Sequence, residues 1–126
     1  MKKIIYTPDA PAPIGPYSQA VEANGMLFVS GQIAIDPATG ELVQGDIETE
    51  TRQVLNNLKA ILEVRGLTFD NVVKSTVFVA DMHLFTRINA VYAEYFTGEE
   101  TPARETVQAA ALPKFVNIEI SVIAVI

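Results

Sequence analysis

The chain has 126 residues, of which 49% are hydrophobic, and its formal net charge is −6. This length fits one domain, residues 1–126, with a hydrophobic core of ordinary size. The acidic charge argues against binding to a nucleic-acid backbone, and the lack of cysteine excludes disulfides, thiolate catalysis and cysteine-ligated metals.

The N-terminal segment 2–5 is too short for a signal peptide, and the prolines that follow it interrupt any longer apolar run. No apolar run approaches the ~20 residues that a membrane-spanning helix requires. We therefore expect a soluble, cytoplasmic protein with no membrane partner. The single histidine, His83, cannot supply a histidine cluster for zinc, so we expect no metal site.

The first predicted element is a β-hairpin. The pair Asn24-Gly25 lies between two strand-like segments, and this pair tolerates the positive φ angles of a tight turn. A second turn is predicted at 36–40, where Asp36, a proline and Gly40 separate two short apolar segments.

Two amphipathic helices are predicted after the hairpin. Asp46 is the predicted N-cap of the first, which should end at Arg65 with Gly66 as the following C′ residue. Asp81 is the predicted cap of the second, which should end at Gly98. The apolar stripes consist of Ile47, Val54, Leu55, Leu58, Ile61 and Leu62 in the first helix and of Phe85, Ile88, Tyr92, Tyr95 and Phe96 in the second.

Three further strands are predicted. They cover 72–79 between the helices, then 106–111 and 118–126 at the end of the chain. The order hairpin, helix, strand, helix, strand, strand indicates an α+β fold with a mixed sheet. Two helices cover only one face of such a sheet, yet the last strand is apolar on both sides. We therefore expect other copies of the chain to cover the second face.

Glu119 is the most informative residue for function, because it interrupts this apolar last strand. A carboxylate in apolar surroundings costs several kcal/mol unless it is paired. Arg104 begins what we interpret as a neighbouring strand, and alternation places Glu105 on the opposite side from it. An acid and a guanidinium in neighbouring strands suggest a small-molecule site in which the arginine holds a carboxylate and the acid activates water. A structural salt bridge and solvated strand faces are the alternatives.

Several short motifs occur in a fixed order along the chain. They are Gly15-Pro16-Tyr17-Ser18-Gln19, Val29-Ser30-Gly31-Gln32, Val72-Val73-Lys74, Asn89 ahead of Tyr92, Pro102-Ala103-Arg104, and Leu112-Pro113-Lys114 ahead of Glu119-Ile120. Taken singly, these motifs have simpler interpretations as a turn, a β-bulge, a boundary polar residue or a surface lysine. Taken together, they make essentially the whole chain resemble the Rid family of reactive-intermediate deaminases, also called the YjgF family.

The resemblance implies a chorismate-mutase-like fold and a homotrimer with ligand sites between subunits. It also implies hydrolysis of small 2-imino acids, such as 2-iminobutanoate and 2-iminopropanoate, and of their enamine tautomers, to 2-oxo acids and ammonia. This reaction would protect pyridoxal-phosphate enzymes and would need no metal or organic cofactor. By motif position, the site residues would be Arg104 for the substrate carboxylate, Glu119 near the attacking water, and Tyr17, Ser30, Gly31 and Asn89 in the pocket.

The chain departs from many relatives of this family at two places. Glu105-Thr106 stands where many have Ser-Cys, and Ser121 stands where many have Glu. If Glu105 curled back to Arg104, it would weaken the carboxylate clamp. Other functions compatible with the resemblance are a metabolite sensor without catalysis, an endoribonuclease or translation inhibitor, and a chorismate-mutase-like enzyme. The acidic charge and the single histidine count against the ribonuclease.

Overall fold

Six strands and two helices make up the fold, and the computed structural model describes all residues, 1–126. The strands are β1 (Lys3–Ile5), β2 (Ala20–Ala23), β3 (Met26–Gln32), β4 (Val72–Val79), β5 (Ala103–Gln108) and β6 (Ile118–Val125), and the helices are α1 (Ile47–Glu63) and α2 (Phe85–Tyr95). The α+β class, the hairpin and both helices are confirmed. β1 lies outside the predicted elements, since three residues are too short to show a period. Neither helix is both long and apolar enough to cross a membrane.

The strands form one mixed sheet in the order β1-β2-β3-β6-β4-β5. β4 and β5 are parallel, because the crossover through α2 returns the chain to the sheet in the same direction, and every other pair is antiparallel. β6 inserts between β3 and β4 and leaves β5 at the edge. The interpretation that Arg104 and Glu119 lie in neighbouring strands is therefore wrong, because β4 separates them.

Both helices pack on the same face of the sheet, around the central strand β6. Its even-numbered residues alternate into the core with the buried stripe of α1 and with Ile88 and Tyr92 of α2. Each fully buried leucine of α1, such as Leu58, contributes about 2 kcal/mol through burial alone. The other face of the sheet has no helix against it, as predicted.

The ends of the elements follow local chemistry. The Asp46 carboxylate caps α1 by accepting a hydrogen bond of 2.7 Å from the Thr49 N–H, as predicted. Several predicted boundaries are wrong. α1 ends at Glu63 rather than at Arg65, α2 ends before Gly98, and β5 covers Ala103–Gln108 rather than 106–111. Asp81 caps a short 3-10 turn that precedes α2 rather than α2 itself.

An apolar row crosses the face of the sheet that carries no helix, called the open face below. Strand register aligns Ile4 with Val21, Val21 with Phe28, and Phe28 with Ile123. Ile4 on the edge strand β1 and Phe28 on the inner strand β3 are 53% and 43% exposed, so the row presents large apolar side chains to its surroundings. This row is the surface that the expected second copy of the chain would cover.

Candidate functional site

The predicted site residues fall into two groups on opposite faces of the sheet. In the strand register, Arg104 pairs with the fully buried Ser75, which places it on the helix-covered face. Glu119 pairs with Phe78, which places it on the open face. With β4 between them and three residues of offset along the strands, their Cα atoms are about 14 Å apart. Within one chain, the two side chains cannot hold the same small molecule.

The Arg104 group is held in place by neutral partners on α2. Its Nη1 donates a hydrogen bond of 2.9 Å to the Asn89 Oδ1. The guanidinium carbon lies 4.7 Å from the ring centroid of Tyr92 and 5.7 Å from that of Phe85. The Tyr92 hydroxyl is in turn fixed by a 2.7 Å hydrogen bond with the Ser75 hydroxyl. These contacts orient the guanidinium plane and leave most of its N–H donors without a partner.

Arg104 differs from every other arginine of the chain. Each of the others donates two hydrogen bonds to a glutamate, in the pairs Arg52–Glu94, Arg65–Glu22 and Arg87–Glu48. Arg104 makes no ion pair. A guanidinium fork without a carboxylate partner has the donor geometry to bind one through two parallel hydrogen bonds.

Glu105 points away from Arg104, as strand alternation predicts. Its carboxylate accepts a 2.9 Å hydrogen bond from Lys74 Nζ on the open face and lies 3.4 Å from the Thr76 hydroxyl. Lys74 holds the pKa of Glu105 below its ordinary value, mainly through this hydrogen bond. The replacement of Ser-Cys by Glu105-Thr106 therefore leaves the Arg104 guanidinium unpaired.

The Glu119 group surrounds a cleft on the open face. The Glu119 carboxyl is half-buried and has no hydrogen-bond or ion-pair partner in the chain, and this burial raises its pKa. The cleft has a volume of about 250 Å³. It is lined by Pro11, Ala12, Ile14, Tyr17, Gln19, Gly31, Gln32, Ile33, Ile35, Pro113 and Glu119. We call it the Glu119 cleft.

Gly31 lies directly under the Glu119 carboxyl. A Cβ atom built on Gly31 would lie 2.6 Å from the Glu119 Oε2 and 2.8 Å from its Cδ. The register of β3 against β6 also shifts between Val29 and Gln32, which places a bulge at Gly31. The simpler interpretation of this motif, a β-bulge, is confirmed. The group that approaches Gly31 is the Glu119 side chain.

Substitution of Gly31 by alanine is expected to displace the Glu119 carboxyl, because the added methyl group would occupy its position. The clash involves the end of a flexible side chain, so the folded chain should survive with a stability loss within about 1 kcal/mol. If Glu119 acts in catalysis, the rate should fall by about 10²-fold, as expected for a misplaced catalytic group. Steady-state kinetics and thermal unfolding check both effects.

Gly98→Ala is the matched control for this substitution, since a Cβ there meets its first heavy atom at 3.8 Å. It should keep both the rate and the melting temperature. Wild-type kinetics in Gly31→Ala would show that the position of the Glu119 carboxyl does not matter.

Tyr17 lines the same cleft, whereas Ser30 lies behind it. Tyr17 lines the cleft, is 47% exposed, and accepts a 3.2 Å hydrogen bond from the Ile14 N–H. Its own hydroxyl proton is therefore free to face a ligand. The Ser30 hydroxyl donates to the Ser18 carbonyl at 2.6 Å and ties β3 to the turn that carries Tyr17. Ser30 thus shapes the cleft, whereas Tyr17 and Gly31 border it directly.

Two buried amides that the sequence interpretation missed hold the walls of the Glu119 cleft. Gln19 bonds to the backbone of Thr7, Ala10 and Pro11, and Asn57 donates to two carbonyls on the opposite wall. These amides are 2% and 1% exposed. Asn57 could have been identified from the sequence, because it is a polar residue directly beside the apolar stripe of α1 and so was expected to be buried with hydrogen-bond partners.

The half-buried Glu119 should make stability depend on pH. A carboxyl group whose pKa is raised by folding destabilises the folded chain at any pH above that raised value, and the cost disappears below its unfolded pKa. Glu119→Gln is therefore expected to raise the melting temperature near pH 7, with a gain that shrinks as the pH falls through the raised pKa and vanishes below the unfolded pKa of a glutamate, about 4.3. Thermal unfolding across this range measures the gain. A gain independent of pH, or a loss near pH 7, would contradict the burial cost.

Comparisons with known proteins cover almost the whole chain. A family model described as Endoribonuclease L-PSP matches residues 7–126. A RutC family protein of Pyrococcus horikoshii is 57% identical over 124 residues, which cover 98% of each chain. The 2-iminobutanoate/2-iminopropanoate deaminase of Mus musculus is 48% identical over 125 residues, which cover 99% of this chain and 92% of the mouse protein.

Solved structures agree with the fold described above. YyfA of Yersinia pestis, a protein of unknown function from the conserved Rid protein family, superposes with a TM-score of 0.97 at 50% identity and covers all of both chains. Escherichia coli TdcF, solved with bound serine, superposes with a TM-score of 0.92 at 44% identity over 98% of each chain. The sheet and helices therefore have the arrangement of these crystal structures.

Proposed function

This chain belongs to the YjgF/Rid family, and we propose that it hydrolyses small 2-imino acids and their enamine tautomers to 2-oxo acids and ammonia. The observation that carries the proposal is Arg104, a guanidinium oriented by Asn89 and Tyr92 but without a carboxylate partner. Its planar fork fits a substrate carboxylate through two parallel hydrogen bonds. Support comes from the deaminase name of the mouse relative and from the serine in TdcF, an α-amino acid with such a carboxylate.

We place the active site between two copies of the chain in a homotrimer. Arg104 and Glu119 are about 14 Å apart on opposite faces of one sheet, so one copy would supply Arg104 and its neighbour would supply the Glu119 cleft. The exposed apolar row on the open face gives such an interface its hydrophobic area. A contact between two different surface patches closes into a ring when the rotation allows it, and we propose a ring of three copies.

The proposed mechanism needs only these two groups and water. Arg104 of one copy holds the substrate carboxylate, while Glu119 of the neighbour orients a water molecule towards C2 and takes its proton. Attack on the C=N bond gives a tetrahedral carbinolamine. The proton then passes from Glu119 to the nitrogen. Ammonia leaves while the carbinolamine hydroxyl gives its proton back to Glu119, and the C=O bond of the 2-oxo acid forms.

Modest catalysis is enough for this reaction, because a protonated imine is already electrophilic. A positioned general base typically contributes about 10²–10⁴-fold in rate. Burial raises the pKa of Glu119 and so makes its carboxylate a better proton acceptor than an ordinary glutamate. The site therefore supplies a base, a carboxylate clamp and a partly desolvated cleft.

The test generates imines in place with an amino-acid oxidase and follows ammonia release with and without the purified chain. We expect release to exceed the spontaneous rate, and gel filtration to give the mass of three chains. Binding of 2-oxo acids without any acceleration would favour a metabolite sensor instead. A chain that elutes at the mass of a monomer would contradict the shared site.

The family description also names an endoribonuclease, and the charges of this chain argue against that activity. Of its nine lysines and arginines, five lie in ion pairs with glutamates, so they are not available as a phosphate-binding patch. His83 is almost fully exposed beside Asp81, on the turn before α2. Salt-sensitive binding of RNA by the purified protein would contradict this conclusion.

A further inference from the structure

We propose that the chain has a second binding site, for a small organic cation with a primary ammonium group, in a cavity beside the first turn of α1. Glu50 and Phe115 both line this cavity, which we call the Glu50 cavity. Its volume is about 310 Å³, and it shares no lining residue with the Glu119 cleft. The proposal therefore does not depend on deaminase activity.

The anionic group of the Glu50 cavity is a buried carboxylate. Glu50 is 3% exposed, and its two oxygens each accept a hydrogen bond of 2.8 Å from Asn117, one from the backbone N–H and one from the side-chain amide. Both donors are neutral, and Glu50 makes no ion pair. Asn117 thus fixes the carboxylate without neutralising its charge. Since a carboxylate oxygen can accept two hydrogen bonds, each oxygen keeps one free position for a donor in the cavity.

The aromatic group of the Glu50 cavity is held in an uncommon backbone conformation. Phe115 has a φ of 55° and Lys114 before it a φ of 53°, in the left-handed region that costs free energy for residues with a Cβ atom. The Phe115 side chain is also 87% exposed, so packing within the chain does not offset this cost. Strained residues cluster at sites that bind ligands. A ligand in the cavity would contact the Phe115 ring and offset part of the cost.

The carboxylate and the ring together define the class of ligand. A primary ammonium group donates charge-assisted hydrogen bonds to a carboxylate and is attracted to the face of an aromatic ring. Leu42, Val43 and Val116 also line the cavity, and their apolar surface suits a short alkyl chain attached to the ammonium. A divalent metal ion fits less well, because Glu50 is the one carboxylate in the lining and such ions usually need several oxygen ligands with more charge.

The experiment titrates n-butylammonium chloride into the isotope-labelled chain at constant ionic strength and follows the backbone amide resonances by NMR. We expect saturable shifts at residues 42–45 and 115–117, which line the Glu50 cavity, and little change at 31–33 in the Glu119 cleft. n-Butanol has a similar shape without the charge and should bind at least about 10-fold more weakly, because it forms only neutral hydrogen bonds with the carboxylate.

Two variants separate the contributions of the carboxylate and the ring. Glu50→Gln keeps the shape and can still bond to Asn117, but it loses the charge, so butylammonium should bind at least about 10-fold more weakly. Phe115→Leu keeps an exposed apolar side chain without an aromatic face and should weaken binding about 2- to 5-fold. Glu48→Gln is the matched control, because Glu48 lies in the same turn of α1 but pairs with Arg87 outside the cavity. It should bind like the wild-type chain.

Several results would overturn the site. They are equal binding of butanol and butylammonium, unchanged binding by folded Glu50→Gln, and shifts confined to residues 31–33. The absence of any saturable shift at 42–45 and 115–117 would do the same. Thermal unfolding shows whether each variant is folded. If Glu50→Gln does not fold, the comparison of butylammonium with butanol on the wild-type chain decides the question.

Discussion

Replacement of Arg104 by alanine is expected to lower kcat/KM for 2-iminopropanoate by about 10²–10³-fold, the usual cost of removing one partner from a buried, hydrogen-bonded charge pair. Arg104→Lys should recover little of this loss. Lysine keeps the positive charge, but it lacks the planar fork that binds a carboxylate through two hydrogen bonds, and it cannot lie flat on the Tyr92 ring. Kinetics on imines generated in place measure both variants.

The fold should survive these substitutions, which separates a binding role from a structural one. Arg104 makes one hydrogen bond, to Asn89, and contacts two aromatic rings, so its removal should cost about 1 kcal/mol of stability. Arg87→Ala is the control on the neighbouring helix, since Arg87 is an exposed arginine paired with Glu48. It should leave kcat/KM unchanged. If purified, correctly assembled Arg104→Ala kept full activity, the carboxylate clamp would be wrong.

Local chemistry in the sequence was sufficient to predict most of the elements. The apolar stripe of α1 has the helical period and is buried as predicted, and Asp46 caps the helix. The Asn24-Gly25 turn has both residues at positive φ, as a tight hairpin requires. Most errors in these elements concern the residue at which a helix or strand ends. Gly98, for example, was predicted to end α2, but the hydrogen bonds and packing contacts that set this boundary cannot be read from the sequence.

The strand order could not be predicted in the same way. Period-two alternation correctly separates Arg104 from Glu105 within β5, because it depends only on neighbouring residues. The alternation of side chains along one strand does not predict which strands pair, or whether residues of two distant strands lie on the same face of the sheet. The insertion of β6 between β3 and β4 is a long-range pairing, and it places Glu119 on the face opposite to Arg104.

The motif residues were found, but their surroundings were not. Asn89 was assigned to the substrate pocket, and that assignment stays a prediction; the structure adds that its side chain accepts a hydrogen bond from the Arg104 guanidinium. That contact depends on the packing of α2 over β5, which no local pattern encodes. The same holds for the walls of the Glu119 cleft, where Gln19 and Asn57 bond to backbone groups far away in sequence.

The shared site leads to a prediction about mixed oligomers. Arg104→Ala chains and Glu119→Gln chains should each be nearly inactive, since loss of a general base costs about 10²–10⁴-fold in rate. When the two are unfolded and refolded together in equal amounts, half of the copies carry an intact Arg104 and half carry an intact Glu119. If each site draws one residue from each of two neighbours, about a quarter of the sites should be complete.

A second mixture, of wild-type chains with chains carrying both substitutions, distinguishes a shared site from a site within one chain. A shared site predicts about a quarter of the full rate per site in both mixtures. Under random assembly, each of the two neighbours at a site supplies an intact residue in about half of the cases, and both must do so. A site within one chain predicts no activity in the first mixture and about half in the second, since each wild-type copy would act alone. Each variant refolded by itself sets the background, and gel filtration confirms equal assembly. Because Arg104 and Glu119 lie on opposite faces of one sheet, the first pair of results is the one we expect.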